Sequence, residues 1–348
     1  TQLGNLYLVV QDYVQAIRYH QQRLTLAQSM EDLSGEGISL INLGNVYKMT
    51  GQSARAIQVQ QQALAIARKL QDRGLESSAL LNLGIGYDDR RQFAQAIEHY
   101  QQALTIARTT QDRPTAAQIL NNLGNTQFRA GRLAEAETTL RSGLQLWESL
   151  RATLGNNDLN KVSIFDQQAR TYRLLQRVLV AQSNPEAALE IAERGRARAF
   201  VELLARRQET DSRVRTISNQ SIAAPDIPQI RQIARAQNST LVTYSITYED
   251  VLVNGRIEPR ETELFIWAIA PSGTITFRKV DLKPLWNCQG TSPCNLNSLS
   301  SLVSSSREGI GVRGRGLGVV ASAPALQPDR QRNQLYQLLI QPIADILP

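Results

Sequence analysis

A chain of 348 residues has room for more than one domain and for a sizeable apolar core. Its hydrophobic share of 42% comes with only 5% aromatics and much Ala, Leu and Gln, a composition suited to closely packed helices. The formal charge of +7 is spread thinly, largely as scattered Arg, which allows a nucleic-acid partner without pointing to one. No apolar run approaches the ~20 residues that a membrane-spanning helix needs.

In chain order, the first feature is a phrase that returns every 40 residues. It reads Leu3-Gly4-Asn5-Leu6-Tyr7, Leu43-Gly44-Asn45-Val46-Tyr47, Leu83-Gly84-Ile85-Gly86-Tyr87 and Leu123-Gly124-Asn125-Thr126-Gln127. Asp32, Asp72 and Asp112 keep the same step, as do Ala16, Ala56, Ala96 and Ala136. A fixed period of this length marks a repeat architecture. Within one period, apolar residues fall at helical spacing in two blocks, from Ile38 to Tyr47 and from Ala56 to Ala67. The turn Thr50-Gly51-Gln52-Ser53 separates them; Gly131 repeats its signal, and Gln11 and Arg91 stand there in the other copies. Each period therefore predicts a helical hairpin, and residues 1–150 predict four. Gly inside a helix costs about 0.5–1 kcal/mol relative to Ala. Its return at 4, 44, 84 and 124 predicts close approach of the partner helix, with an Ala opposite.

The Leu-Gly-x-x-Tyr phrase and the later Ala resemble the tetratricopeptide repeat. The 40-residue step is longer than the usual repeat and is similar to that of kinesin light chains and related scaffolds. The resemblance implies a right-handed superhelix whose first helices line a groove that receives extended peptides. On that groove the expected peptide-binding residues are Asn5, Asn45 and Asn125 in one row and Asn42, Asn82 and Asn122 in another. An amide offers donors and an acceptor, which suits a peptide backbone. The alternative for the 42/82/122 row is a bond between adjacent hairpins. Lys48, Asp88, Asp89 and Arg129, one turn further on, are expected to select charge. His20 and His99 have no Cys or carboxylate cluster beside them and read as repeat-surface or packing residues.

The register breaks at 151–158, and helical periodicity resumes near Val162. Residues 151–207 are expected to be an insertion and a divergent capping hairpin. Residues 208–239 read as a linker ending in a short helix at Ile230–Gln237. Arg194, Arg196 and Arg198 suit a phosphate face but read more simply as a solvated or ion-paired helix.

From 240 the composition changes to β-branched and aromatic residues. Thr240–Tyr248 reads as a strand, and Glu263–Ala270 and Thr274–Val280 as a hairpin turned by Pro271-Ser272-Gly273. A helix from about Arg330 to Leu347 follows. Glu193-Arg194-Gly195-Arg196-Ala197-Arg198-Ala199, then Leu241-Val242-Thr243-Tyr244, Leu264–Ile269 and Leu335–Ile343 resemble, in this order, the opening half of a CHAT domain. That resemblance implies an incomplete α/β caspase-like domain over 240–348, on a chain that is otherwise mostly α. It also implies cysteine peptidase chemistry by a His-Cys dyad, but no residue here matches either member. No catalytic residue, cofactor or metal ligand is assigned. The partners expected are a protein or peptide in the groove and the downstream half of the caspase-like domain. Cys288 and Cys294 close a small ring in an oxidising compartment or remain thiols in the cytoplasm, the location favoured here. The chain opens inside a repeat and without Met, so further residues are expected upstream. Gly309–Gly318 imitates a phosphate cradle without the flanking strand and helix that one needs, and reads as a loop.

Overall fold

The computed structural model describes residues 2–153, 158–208, 224–253, 256–286, 298–303 and 328–347. The chain divides into two compact units, one built on Thr1–Asn184 and the other on Pro185–Asp250 with Pro259–Pro348. The first is helical: α1 (Gln2–Val9), α2 (Tyr13–Ser29), α3 (Leu33–Met49), α4 (Ser53–Leu70), α5 (Arg73–Asp89), α6 (Phe93–Thr109), α7 (Arg113–Arg129), α8 (Leu133–Thr153) and α9 (Asp158–Ala181).

The periodic Asp residues start the helices. Asp32, Asp72 and Asp112 each accept a hydrogen bond from the backbone N–H three residues on, at Gly35, Leu75 and Thr115, and Asp12 does the same for α2. Each satisfies one otherwise open donor of a first turn, an effect of about 1 kcal/mol. The turn inside each hairpin takes a left-handed residue at the same step, with φ of 60° at Gln11, 71° at Gly51, 59° at Arg91 and 76° at Gly131. The following residue closes it, Gln52 N–H donating to Tyr47 and Gln92 N–H to Tyr87. Gly is thus the cheapest occupant of this position, not a required one.

The helix-interior glycines have a different partner from the expected Ala. A Cβ placed on Gly84 would lie 2.5 Å from the Tyr100 ring, and one on Gly124 would lie 2.6 Å from Leu140. Gly4 faces His20 and Gly44 faces Gln60 in the same way. The glycine therefore makes a slot for the side chain sixteen residues later. The Ala at 16, 56, 96 and 136 lies one turn earlier, buried in its own right. The slot holds a ring, an amide or an aliphatic chain, with Gln60 Nε2 donating to the Ile41 carbonyl. His20 is 1% exposed, and neither ring nitrogen has a hydrogen-bond partner among the described residues. Between hairpins, one continuous core runs from Leu40 to Leu123.

The second unit comprises α10 (Pro185–Gln208), α11 (Ile227–Gln237), β1 (Leu241–Val253), β2 (Arg256–Ile269), β3 (Ile275–Asp281), a 3-10 turn at Lys283–Trp286, α12 (Pro328–Leu339) and a 3-10 turn at Gln341–Ile343. The sheet order is β1-β2-β3, with β2 and β3 antiparallel and Glu263 opposite Asp281. The 264–269 stretch of β2 is buried on both faces. One face, Leu264 and Ile266, packs with Leu282, Leu299 and Ile343 and with Leu335, Leu338 and Leu339 of α12. The other carries Phe265, Trp267 and Phe277 with ring centroids 5.4–6.0 Å apart, and Trp267 Nε1 donates to the Pro185 carbonyl at 2.7 Å. Edge-on aromatic contact of this kind adds to burial.

Three boundaries differ from the sequence reading. The capping hairpin expected within 151–207 is divided at Asn184 and Pro185, with α9 in the first unit and α10 in the second. The short helix of the linker starts earlier, at Ile227, because Asp226 and Gln229 form a capping box. The closing helix stops at Leu339 and tightens to a 3-10 turn around Pro342, since Pro lacks the N–H an α-helix interior needs. Cys288, Cys294 and the Gly309–Gly318 stretch lie outside the described residues.

Candidate binding groove

The first helices of successive hairpins pack on one another in a row, α3 on α5, α5 on α7 and α7 on α9. The second helices α4, α6 and α8 contact their sequence neighbours instead. A stack whose first helices are closer together than its second helices bends toward the first. A groove on that side, the one expected from the sequence, would be lined by α3, α5 and α7.

Asn5 is exposed, and Asn42, Asn45, Asn82, Asn122 and Asn125 are half-buried. None of these six amides has a hydrogen-bond partner among the described residues. The neighbouring-hairpin bond weighed for the 42/82/122 row belongs to Asn121, which accepts from Thr171 Oγ1 at 3.1 Å. Ile85 interrupts the 5/45/125 row in the third repeat. Lys48 is half-buried, and no ion pair engages it among the described residues.

Arg129 sits differently. Its guanidinium pairs with the Asp88 carboxylate across α5 and α7 and lies 5.3 Å from the centre of the Phe93 ring. Asp88 is buried, which pushes its carboxyl above the usual carboxylate range, and Arg129 opposes that rise. Arg129 thus fastens two repeats together while leaving about a third of its side chain open.

Sequence reasoning set Asp88 beside Arg129 as charge selectors and missed that the two pair with each other, although a signal was present: the acid and base are one period plus one residue apart. That offset places two residues across adjacent first helices. Arg177 over the Phe128 ring at 5.1 Å is the next such tie. Aromatic stacks within hairpins were missed as well, Tyr7 on Tyr19 at 5.3 Å and Tyr87 on His99 at 5.2 Å. Burial pulls the His99 imidazole below its ordinary range, so the stacked ring is the neutral form near pH 7. Burial and the nearby Asp88 carboxylate push the Tyr100 phenol well up.

Among the described residues no group of three or more His, Cys, Asp or Glu could hold a metal ion. No helix there is long and apolar enough to cross a membrane. In α10, Arg196 donates to Glu193 and to the Tyr244 carbonyl, so it serves its own unit.

Residues 1–69 and 75–149 match the tetratricopeptide repeat family. Tetratricopeptide repeat protein 28 of Mus musculus is 32% identical over 146 residues, and that of Homo sapiens is 30% identical over 151. These alignments cover 42% and 43% of this chain but only 5% of each relative's length. The solved structure of BtubC (BKLC) from P. vanneervenii is similar at 19% identity and a TM-score of 0.49, over 64% of this chain and 81% of that one. The N-terminal 149 residues are thus an array of tetratricopeptide repeats.

Proposed function

We propose that the array is a protein-binding scaffold whose groove holds an extended segment of a partner. The observation that carries this reading is the set of half-buried amides at Asn42, Asn45, Asn82, Asn122 and Asn125, none with a partner of its own. A half-buried amide without a partner forfeits hydrogen bonds, and a peptide backbone laid along α3, α5 and α7 restores them. The helices that carry the amides are fixed by packing, so little ordering cost falls on the protein when a segment binds. Lys48 and the open part of Arg129 add positive charge near this surface. The test is an array of random peptides probed with the protein and with an Asn45→Ala/Asn125→Ala variant. Loss of most captured peptides with unchanged helicity is the expected result. Identical capture by the variant would overturn the reading.

We also propose that the second unit is the opening part of a caspase-like domain, to which the array presents what it holds. The support is a sheet packed on one face by α12 and linked through Trp267 to the start of α10. On this reading the chain recruits for a cysteine peptidase whose His and Cys lie elsewhere, and by itself cleaves nothing. Thiol-dependent cleavage of captured peptides by this chain alone would refute that.

A further inference from the structure

The junction between a second helix and the first helix that follows it occurs three times in the array, with one set of positions at 28/33/36, 68/73/76 and 108/113/116. In the first copy Gln28 Nε2 donates to Glu36 Oε1 at 2.9 Å. In the second, Glu76 is buried and its carboxylate receives two guanidinium groups, Arg68 Nε at 3.1 Å and Arg73 Nη1 at 2.8 Å. The third copy keeps both bases, as Arg108 and Arg113, but Ala116 stands where the acid was. Arg113 turns instead to Ser149 Oγ of α8, and the Arg108 side chain has no partner among the described residues. A cavity of about 620 Å³ opens at this third junction, lined by both arginines, Ser149 and the apolar Ala116, Leu120 and Leu146. That volume is in the range of small-molecule sites. Two guanidinium groups on one cavity repel each other until an anion comes between them, and the arginine fork matches a carboxylate. The preceding junction displays that anion as a carboxylate on a short aliphatic stem.

We propose that the α6–α7–α8 junction is a second binding site, which takes a carboxylate on an aliphatic stem in place of the acid that Ala116 lacks. The carboxylate lies between Arg108 and Arg113, and the stem lies on Ala116, Leu120 and Leu146. An inorganic anion would satisfy the arginines but leave the apolar lining unused. The site is built by the second helices α6 and α8 with the start of α7, and it uses none of the Asn residues assigned to the groove. A ligand here ties α6 to α7 as Glu76 ties α4 to α5 through Arg68 and Arg73. The fourth repeat therefore leaves to a ligand what the third repeat supplies from its own chain.

The test titrates the full chain with hexanoate by calorimetry, beside hexanol as the uncharged analogue and a capped tripeptide with a central Glu. Hexanoate is expected to bind saturably, and hexanol about tenfold more weakly or not at all, as loss of a charge-assisted bond implies. Arg108→Gln, a change at an exposed side chain, should weaken hexanoate by about tenfold. Ala116→Glu should abolish binding by restoring the acid from within. Circular dichroism checks that both variants keep their helicity, and Arg108→Gln decides alone if Ala116→Glu does not fold. Tighter binding of the tripeptide, with the same response to the variants, assigns the site to an acidic side chain of a partner; tighter binding of hexanoate assigns it to a free acid. Absence of saturable binding by both probes, or affinities that the folded variants leave unchanged, overturns the proposal. Inorganic phosphate binding as tightly as hexanoate would overturn it too, because the apolar lining would then contribute nothing.

Discussion

The repeat array and the sheet-bearing unit close their cores over different distances along the chain. In the array, Gly84 meets Tyr100 within its hairpin, and Arg129 reaches Asp88 across one repeat. In the sheet-bearing unit, Tyr244 Oη donates to the Leu339 carbonyl 95 residues away, and Trp267 caps a carbonyl 82 residues back. Local closure makes the array a sum of similar parts, each resting on its neighbours. Long-range closure makes the sheet-bearing unit stand or fall together.

Trp267→Ala should have the largest effect, about 3–5 kcal/mol, because the ring is fully buried and its N–H bond is lost with it. Hydrogen exchange should show the loss throughout β1–β3 and α10 while α3–α7 keep their protection. Equal loss in the array would mean that the two regions do not fold as separate parts. Gly84→Ala should cost about 1–3 kcal/mol by overpacking against Tyr100. Gly131→Ala meets nothing within 4 Å and pays only for its left-handed φ, about 1 kcal/mol. Urea titrations of the two variants should separate them; reversal of the order would remove the slot from the account.

A pH series sharpens the comparison further, since both histidines belong to the array. Burial lowers the pKa of His20 and His99 below the ordinary 6.5, so the unfolded chain takes up protons that the folded chain refuses. Stability from this source is complete above about pH 6.5 and is lost as pH falls below it. Thermal melts from pH 7.5 to 5 should show the array losing a few degrees of Tm, and His20→Tyr with His99→Val should flatten the curve. These replacements copy the occupants of the same positions at Tyr100 and Val59. An unchanged slope in the double variant would assign the acid sensitivity to other groups. The smallest effect expected is a gain: Arg91→Gly should add about 0.5 kcal/mol by relieving a left-handed φ of 59°, read as a rise in the urea midpoint.

Periodicity carried most of the array into view. Leu, Gly, Asp and Ala at fixed steps each report one packing or capping event, and repetition removes the ambiguity of any single copy. The occupant of the glycine slot was less legible because it varies from His20 to Gln60, Tyr100 and Leu140, and only geometry shows that they share a place. The Asn residues stand in rows in the sequence; that each lacks a hydrogen-bond partner among the described residues is visible only in the structure. That Arg129 would be drawn to Asp88 was not legible either, since pairing across repeats depends on the stacking rotation. In the sheet-bearing unit, strand composition marked β2 and β3. The division at Asn184 has no local signal, because Pro185 starts a helix equally well inside a hairpin or at the head of a new unit.

The four glycine slots also set an order of unzipping. Tyr100 fills its slot with a fully buried ring, and Leu140 fills its own with an aliphatic chain. Gln60 is held by one hydrogen bond, and His20 brings two buried nitrogens that find none. Each unmet polar atom lowers the free energy of opening its own hairpin, so amide exchange should run fastest at α1–α2 and slowest at α5–α6. By the glycine slot alone, α1–α2 is thus the easiest of the four hairpins to open and α5–α6 the hardest.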